Sequence, residues 1–172
     1  MRIIVDTIPD EGLQVHVDLH AAWAREAVVE ALEGQPEALD LDVTVMKLGD
    51  HVRVAGEARA AVVKPCDRCG EPVRLRVGGP VDLYYRPDAD AYDGHMELAD
   101  EDMDIGWFDG EALELDAVLI EQLALWAPPR TRCDDPGIEQ VEGRHPCVLP
   151  AVATAEVDLR PPSPFAVLRR PE

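Results

Sequence analysis

The sequence is poor in aromatic residues, basic residues and cysteine, and it contains no long apolar run. Only 5% of its residues are aromatic, so valine, leucine and alanine must fill the core that an apolar fraction of 47% is sufficient to build. No apolar stretch approaches the roughly 20 residues that a membrane-spanning helix needs. The first residues have the pattern of a short strand and not that of a signal peptide. Together with the few cysteines, these absences predict a cytoplasmic chain with reduced thiols and no membrane partner.

The charge is one-sided, with 16 basic against 35 acidic residues and a formal net charge of −19. Such a surface repels phosphate, which disfavours generic binding of nucleic acid through a basic face. It favours a basic partner or, as the alternative, serves only solubility. Acidic residues are dense in the segment 87–104, which we interpret as an acidic loop that binds a basic protein or is merely solvated. Its candidate contact residues are Asp100, Glu101 and Asp102.

The alternation of apolar and polar residues predicts a protein of the α+β class that is mainly antiparallel β-sheet. Two short strands, at 2–6 and 12–18, precede a pattern of period two that runs from Leu39 to Arg86 and predicts an antiparallel meander. Gly56 in mid-strand and the interruption at 78–80 predict bends or bulges. We therefore expect a curved sheet or a small barrel.

Helical spacing of apolar residues predicts two helices. The first is expected from about 20 to 32, and the second from Leu115 to Trp126, where Pro128 and Pro129 stop it. We expect one domain covering 1–172. Its residues 128–172 are expected to form an irregular segment that folds back over the cysteines.

Cysteine spacing provides the clearest candidate site. Cys66 and Cys69 stand at a turn between two strands, and two thiols at this spacing can chelate one tetrahedral metal ion, usually zinc. Cys133 and Cys147 are the remaining cysteines, so all four could bind one zinc ion, with His145 as the substitute ligand. Four protein ligands fill the coordination sphere of zinc, which predicts a structural and not a catalytic site. Reduced cysteines without a metal are the alternative.

The sequence has no motif of a common catalytic site: it lacks Gly-x-Ser-x-Gly, a glycine-rich phosphate loop and His-Glu-x-x-His. A thiol oxidoreductase is the enzyme alternative, because Cys66 and Cys69 have the spacing of a redox pair. That motif normally opens a helix within a βαβ unit, whereas here it joins two predicted strands. We therefore expect no enzymatic activity and no small-molecule substrate.

Several short motifs follow one another in an order that is typical of one family. They are Val54-Ala55-Gly56-Glu57, Cys66-Asp67-Arg68-Cys69-Gly70-Glu71-Pro72-Val73, the helix with Pro128-Pro129-Arg130-Thr131-Arg132-Cys133, Asp158-Leu159-Arg160, and Pro164-Phe165-Ala166-Val167-Leu168. In this order, over about residues 52–168, the chain resembles the YceD family of large-ribosomal-RNA accumulation proteins. It departs from the family pattern in its second cysteine cluster, which is reduced to Cys133 and Cys147.

The resemblance implies a non-catalytic, cytoplasmic bacterial factor that supports accumulation of 23S ribosomal RNA and assembly of the large ribosomal subunit. Its direct partner would be either ribosomal RNA or a basic ribosomal protein. As a chaperone of a basic protein, the chain would use the acidic stretch between Asp88 and Asp116. As an RNA-binding factor it would use the arginines around the cysteines, namely Arg68, Arg74, Arg76, Arg130, Arg132 and Arg144.

Overall fold

The computed structural model shows a curved antiparallel sheet with two helices packed on it, and it describes residues 1–49, 51–87, 105–141, 143 and 146–148. In chain order its elements are β1 (Arg2–Ile4), a 3-10 turn (Val5–Thr7), β2 (Leu13–Asp18), α1 (Ala22–Leu32), β3 (Gln35–Leu48), β4 (His51–Pro65), β5 (Pro72–Pro87), β6 (Ile105–Phe108), β7 (Ala112–Glu114), α2 (Leu115–Trp126) and β8 (Glu139–Gln140).

The main sheet has the strand order β2-β3-β4-β5-β6, with β8 added beside the start of β5. Strands β2 to β5 form the predicted antiparallel meander, and β6 runs parallel to β5. Strands β1 and β7 form a separate antiparallel pair. Among the described residues, β2 and β6 do not pair with each other, so the sheet stays open. The prediction of a curved sheet is confirmed, and its barrel alternative is wrong.

One face of the sheet forms the core together with the helices. Because successive side chains of a strand point to opposite faces, Leu41, Val43 and Val45 of β3 are buried while the residues between them are more exposed. Helix α1 lies on β2, β3 and β4, α2 lies on β5, and the two helices pack against each other. The helices bury Ala24, Ala27, Val28 and Leu32 of α1, and Leu115, Val118, Leu119 and Leu123 of α2.

Two glycines allow neighbouring strands to approach closely in the middle of the sheet. A Cβ atom at Gly56 would lie 2.1 Å from the carbonyl oxygen of Asp42, and one at Gly78 would lie 2.6 Å from that of Ala58. The pairing of β3 with β4 continues without a shift through Val43 and Gly56, so there is no bulge at Gly56. The predicted interruption at 78–80 does not occur, because β5 passes through it as one strand of 16 residues.

The predicted helices match the structure closely. Helix α2 has the expected ends, whereas α1 begins two residues later than expected, at Ala22. The cause is local, because the carboxylate of Asp18 accepts a hydrogen bond of 2.8 Å from the backbone N–H of His20 and forms a turn before the helix. Neither described helix combines the length and apolarity needed to cross a membrane. The acidic loop beyond Pro87 and the chain beyond Val148 lie outside the described residues.

Candidate metal centre

The first half of the cysteine cluster is the turn that joins β4 to β5. The turn is closed by two backbone hydrogen bonds, from the N–H of Cys66 to the carbonyl oxygen of Glu71 at 2.8 Å and from the N–H of Gly70 to the carbonyl oxygen of Cys66 at 2.9 Å. Gly70 has a φ of +81°, a left-handed conformation that glycine adopts without strain. This local geometry holds Cys66 and Cys69 on one side of the turn.

The second half comes from the segment that follows α2. Thr131 is buried, and its backbone joins the turn twice: its N–H donates to the Asp67 carboxylate at 2.6 Å, and its carbonyl oxygen accepts from the N–H of Asp67 at 2.9 Å. This Asp67–Thr131 clasp places Cys133 against the turn. The clasp could not be predicted from the sequence, because the two residues lie 64 positions apart and neither is itself a metal ligand.

The four cysteine sulfurs lie within 4.8 Å of one another. Two pairs of sulfurs are separated by 3.7 Å, Cys66 with Cys147 and Cys69 with Cys133. Four sulfurs at about 2.3 Å from one ion, at tetrahedral angles, are roughly 3.8 Å apart, whereas disulfide sulfurs are about 2.05 Å apart. The arrangement therefore has the dimensions of a four-thiolate metal site. The prediction that the four cysteines gather at one place is confirmed, and His145 lies outside the described residues.

The electrostatics of the cluster favour a bound cation. Burial opposes ionisation of Cys66, but three backbone N–H groups donate to its sulfur and together lower its pKa to about 6. Two of them are the N–H groups of Arg68, at 3.4 Å, and of Cys133, at 3.3 Å. The pKa of Cys133 is raised by its burial and by the neighbouring sulfurs. Because several thiolates cannot share so small a volume without compensating charge, the site suits a divalent ion.

The cluster has a small core of its own. Cys66, Val73 and Cys133 are buried together, and Ile138 packs partly against them. Strand β8 closes this core by pairing with β5 at Val73, and the side-chain amide of Gln140 donates to the carbonyl oxygen of Cys133 at 3.1 Å. The segment after α2 is therefore attached to the sheet mainly through this region.

The arginines that the sequence analysis singled out lie around the cluster and are mostly paired with carboxylates. Arg130 is exposed, and among the described residues no carboxylate forms an ion pair with it. The local charge is therefore balanced and not strongly basic. The observed pairs are Arg68 with Asp134, Arg74 with Glu37 and Glu139, Arg76 with Glu139, and Arg132 with Asp135. The predicted acidic contact residues Asp100, Glu101 and Asp102, and the predicted RNA-contact residue Arg144, lie outside the described residues.

The fold and the cluster define a class of protein: an open, helix-backed antiparallel sheet whose β4–β5 turn and C-terminal segment meet at four cysteines able to hold a metal ion. The chain belongs to the family of the large ribosomal RNA subunit accumulation protein YceD, whose family model matches residues 54–170. The match includes all four cysteines, and the resemblance seen in the sequence is confirmed.

Relatives of the chain are found among the mycobacteria. Uncharacterised proteins of Mycobacterium bovis and of two strains of Mycobacterium tuberculosis are 32% identical to it over 133 residues. The aligned region is 76% of this chain and 61% of each relative, so the chain spans less than two thirds of their length. No solved structure matches the chain.

Proposed function

We propose that the protein is a non-catalytic factor that supports accumulation of large-subunit ribosomal RNA and assembly of the large subunit, and that its four cysteines bind one structural zinc ion. The observation that carries the proposal is the family match over residues 54–170, which includes both halves of the cysteine cluster. The family takes its description from the accumulation of this RNA. In the structure, the β4–β5 turn and the segment after α2 both lie within the matched region, and they meet at the four cysteines.

The zinc ion of this proposal has a structural role because its ligands leave it no free position. Four thiolates complete a tetrahedral shell, whereas catalytic zinc keeps a fourth position for water or substrate. Two close pairs of sulfurs each join the two halves of the cluster, Cys66 with Cys147 and Cys69 with Cys133. The ion would therefore cross-link the β4–β5 turn to the segment after α2. This connectivity favours a structural site over a thiol oxidoreductase in which Cys66 and Cys69 react with each other.

A second candidate role is that of an acidic binding module, or chaperone, for a basic ribosomal protein. The net charge of −19 favours it, and so do the carboxylates paired with Arg68, Arg74, Arg76 and Arg132, which reduce the attraction of that surface for phosphate. In this role the acidic segment would attract a lysine-rich and arginine-rich tail within a Debye length of about 10 Å.

Two sets of substitutions distinguish a chaperone of a basic ribosomal protein from a factor that binds RNA. Changing Asp100, Glu101 and Asp102 to asparagine and glutamine should weaken binding of a basic ribosomal protein and leave RNA affinity unchanged or slightly higher. Arg74→Ala with Arg76→Ala should do the reverse if these arginines contact phosphate. If the acidic-segment variant binds every basic ribosomal protein tested as well as the original chain, the chaperone role is excluded.

The proposed function itself is tested by depletion in the organism that encodes the protein. Depletion should lower the ratio of large-subunit to small-subunit ribosomal RNA, and the original chain should restore it. The Cys66→Ser/Cys133→Ser variant should fail to restore the ratio, whereas Asp134→Asn, a matched change beside the cluster at a residue that is not a ligand, should succeed. An unchanged ratio after depletion would contradict the proposal.

A further inference from the structure

The face of the main sheet that points away from the helices carries two exposed aromatic side chains at its β5–β6 end. Tyr84 and Trp107 are each 39% exposed, and the next residues along their strands, Tyr85 and Phe108, are buried in the core. Because side chains alternate between the faces of a sheet, Tyr84 and Trp107 share the outer face. In a chain with only 5% aromatic residues, this pair indicates a binding surface more than incidental exposure.

The register of the strands makes these two rings neighbours. Tyr84 pairs with Ile105, and Trp107 pairs with Arg86, two residues further along β5. Tyr84 and Trp107 are thus diagonal neighbours on adjacent parallel strands, and a strand spacing of about 4.8 Å with an offset of two residues separates their backbones by roughly 8 Å. Successive bases of an unwound nucleic-acid strand can stack on rings at such a spacing.

Two guanidinium groups lie beside the rings, and one of them, that of Arg53, is ion-paired with the Asp82 carboxylate. The guanidinium of Arg53 lies over the ring of Tyr84, 5.4 Å from its centroid, and is oriented by hydrogen bonds of 2.7 Å and 3.0 Å to Asp82. Arg86, opposite Trp107, donates a hydrogen bond of 2.6 Å to the ring nitrogen of His51. We call Arg53, Tyr84, Arg86 and Trp107 the aromatic patch.

The rest of the outer face carries charged side chains of both signs. Asp40, Asp42 and Glu57 lie exposed on β3 and β4, where Asp42 stands directly opposite Glu57. Arginines on this part of the face, namely Arg59, Arg74 and Arg76, are paired with carboxylates. The two exposed rings therefore distinguish the aromatic patch from the rest of the described outer face, and a base can stack on them.

We propose that the aromatic patch binds a short single-stranded segment of RNA, with bases stacked on Tyr84 and Trp107 and the two guanidinium groups beside the sugar-phosphate backbone. The proposal rests on the proposed function, which makes ribosomal RNA the target. Single-stranded RNA suits the patch because stacking needs an exposed base face, which a duplex conceals. It also suits an acidic protein, because stacking supplies affinity that does not depend on net charge.

The stacking mode makes a specific prediction about salt. Binding that neutralises one or two phosphates falls with salt along a shallow slope, roughly −0.7 for each phosphate on a logarithmic scale. Binding through all the arginines around the cysteines would give a slope several times steeper. The aromatic patch therefore predicts a shallow slope together with strong dependence on the two rings.

The test measures anisotropy of a labelled oligouridylate of about eight nucleotides, a length within the usual range of single-strand sites. The full chain is compared with Tyr84→Leu and Trp107→Leu, which keep apolar bulk but remove the ring. Each substitution should lower affinity roughly 5- to 150-fold, as expected for the loss of one stacked base. Trp23→Phe is the control for the loss of a tryptophan elsewhere, and it should leave affinity unchanged. Zinc content and the urea midpoint of each variant establish that the fold is intact.

Three results would overturn the inference. In the first, the leucine variants bind the oligonucleotide as well as the original chain does. In the second, Arg74→Ala with Arg76→Ala abolishes binding and the ring substitutions do not, which places the RNA near the cysteines. In the third, no RNA binds and the ring substitutions abolish association with a ribosomal protein, which makes the patch a protein interface. If depletion of the protein leaves ribosomal RNA unchanged, the proposed function fails separately, because the oligonucleotide measurement does not depend on it.

Discussion

The main core and the cysteine cluster belong to one fold but differ in what stabilises them. The main core combines aliphatic side chains from both helices and from the long strands β3, β4 and β5. The core of the cluster consists of three buried residues, Cys66, Val73 and Cys133. Burial of so little apolar surface cannot offset the conformational entropy that is lost when an irregular segment is ordered. We infer that stability is distributed in the first region, whereas in the second it would depend on the proposed zinc ion and its four sulfur ligands.

The largest expected effect is the loss of the metal ion. Cys66→Ser with Cys133→Ser should reduce zinc content from about one per chain to none, because structural zinc sites bind with roughly 10–16 kcal/mol of apparent free energy and need all their thiolates. The amides of the β4–β5 turn should then lose protection in hydrogen exchange, while those of Val43 and Val45 in the main core keep it. Elemental analysis measures the zinc content, and hydrogen exchange measures the protection of the amides.

The matched control for this experiment is Asp134→Asn. Asp134 forms an exposed ion pair with Arg68 at 3.1 Å but is not a ligand, so the substitution should keep the zinc. If the amides of Val43 and Val45 exchanged as fast in the cysteine variant as those of the turn, the main core and the cysteine cluster would depend on the same interactions. That result would contradict the comparison.

The next effect concerns the main core. Leu119 is 2% exposed on α2, and Leu119→Ala should lower the free energy of unfolding by roughly 2–5 kcal/mol without changing zinc content. Leu125 lies on the same helix and is 71% exposed, so Leu125→Ala should change the free energy by less than about 0.5 kcal/mol. Urea unfolding measures both. If Leu119→Ala changed the free energy as little as Leu125→Ala does, the apolar side of α2 would face a partner and not the sheet.

A smaller effect is expected at Gly56, where β4 approaches β3 closely. Gly56→Ala would place a Cβ atom 2.1 Å from the carbonyl oxygen of Asp42, so we expect a loss of roughly 1–3 kcal/mol as the strands move apart. Gly49→Ala is the control, because Gly49 also has a positive φ, +69°, but a Cβ there would meet no atom within 4 Å. Equal losses in the two variants, measured by urea unfolding, would show that backbone conformation and not strand contact requires glycine.

The smallest expected effect concerns the Asp67–Thr131 clasp. Asp67→Ala removes the acceptor of the Thr131 N–H and should lower zinc affinity about tenfold, as the loss of an outer-shell partner does. Competition with a chromophoric chelator measures the affinity. An unchanged affinity would mean that the two halves of the cluster are positioned by the metal alone.

The features that could be predicted from the sequence are those that depend on neighbouring residues along the chain. Helix α2 was predicted at both ends because the apolar spacing and the prolines that define it are local. The turn at Cys66 and Cys69 was equally local, so half of the metal site was visible. The sequence left open whether the sheet closes into a barrel, because periodicity predicts strands but does not determine whether the edge strands pair.

Contacts between distant parts of the chain explain the remaining errors and omissions. The ion pair of Arg74 with Glu37 joins residues 37 positions apart and changes the character of a surface that the sequence presented as basic. The aromatic patch was invisible for the same reason, since β6 must first lie beside β5 before Tyr84 and Trp107 become neighbours. Residues such as Tyr84 and Trp107 become neighbours only when the strands pair, so their spacing along the chain does not reveal the contact.

The central claim, that the cysteine cluster is a closed zinc site, is tested most directly by X-ray absorption spectroscopy at the zinc edge. The sample is protein purified without chelator. We predict a single shell of four sulfurs at about 2.3 Å. A shell of three sulfurs and one nitrogen would replace one cysteine with a residue such as His145 and contradict the four-thiolate site. A sample without zinc, even after addition of one equivalent, would contradict the claim entirely.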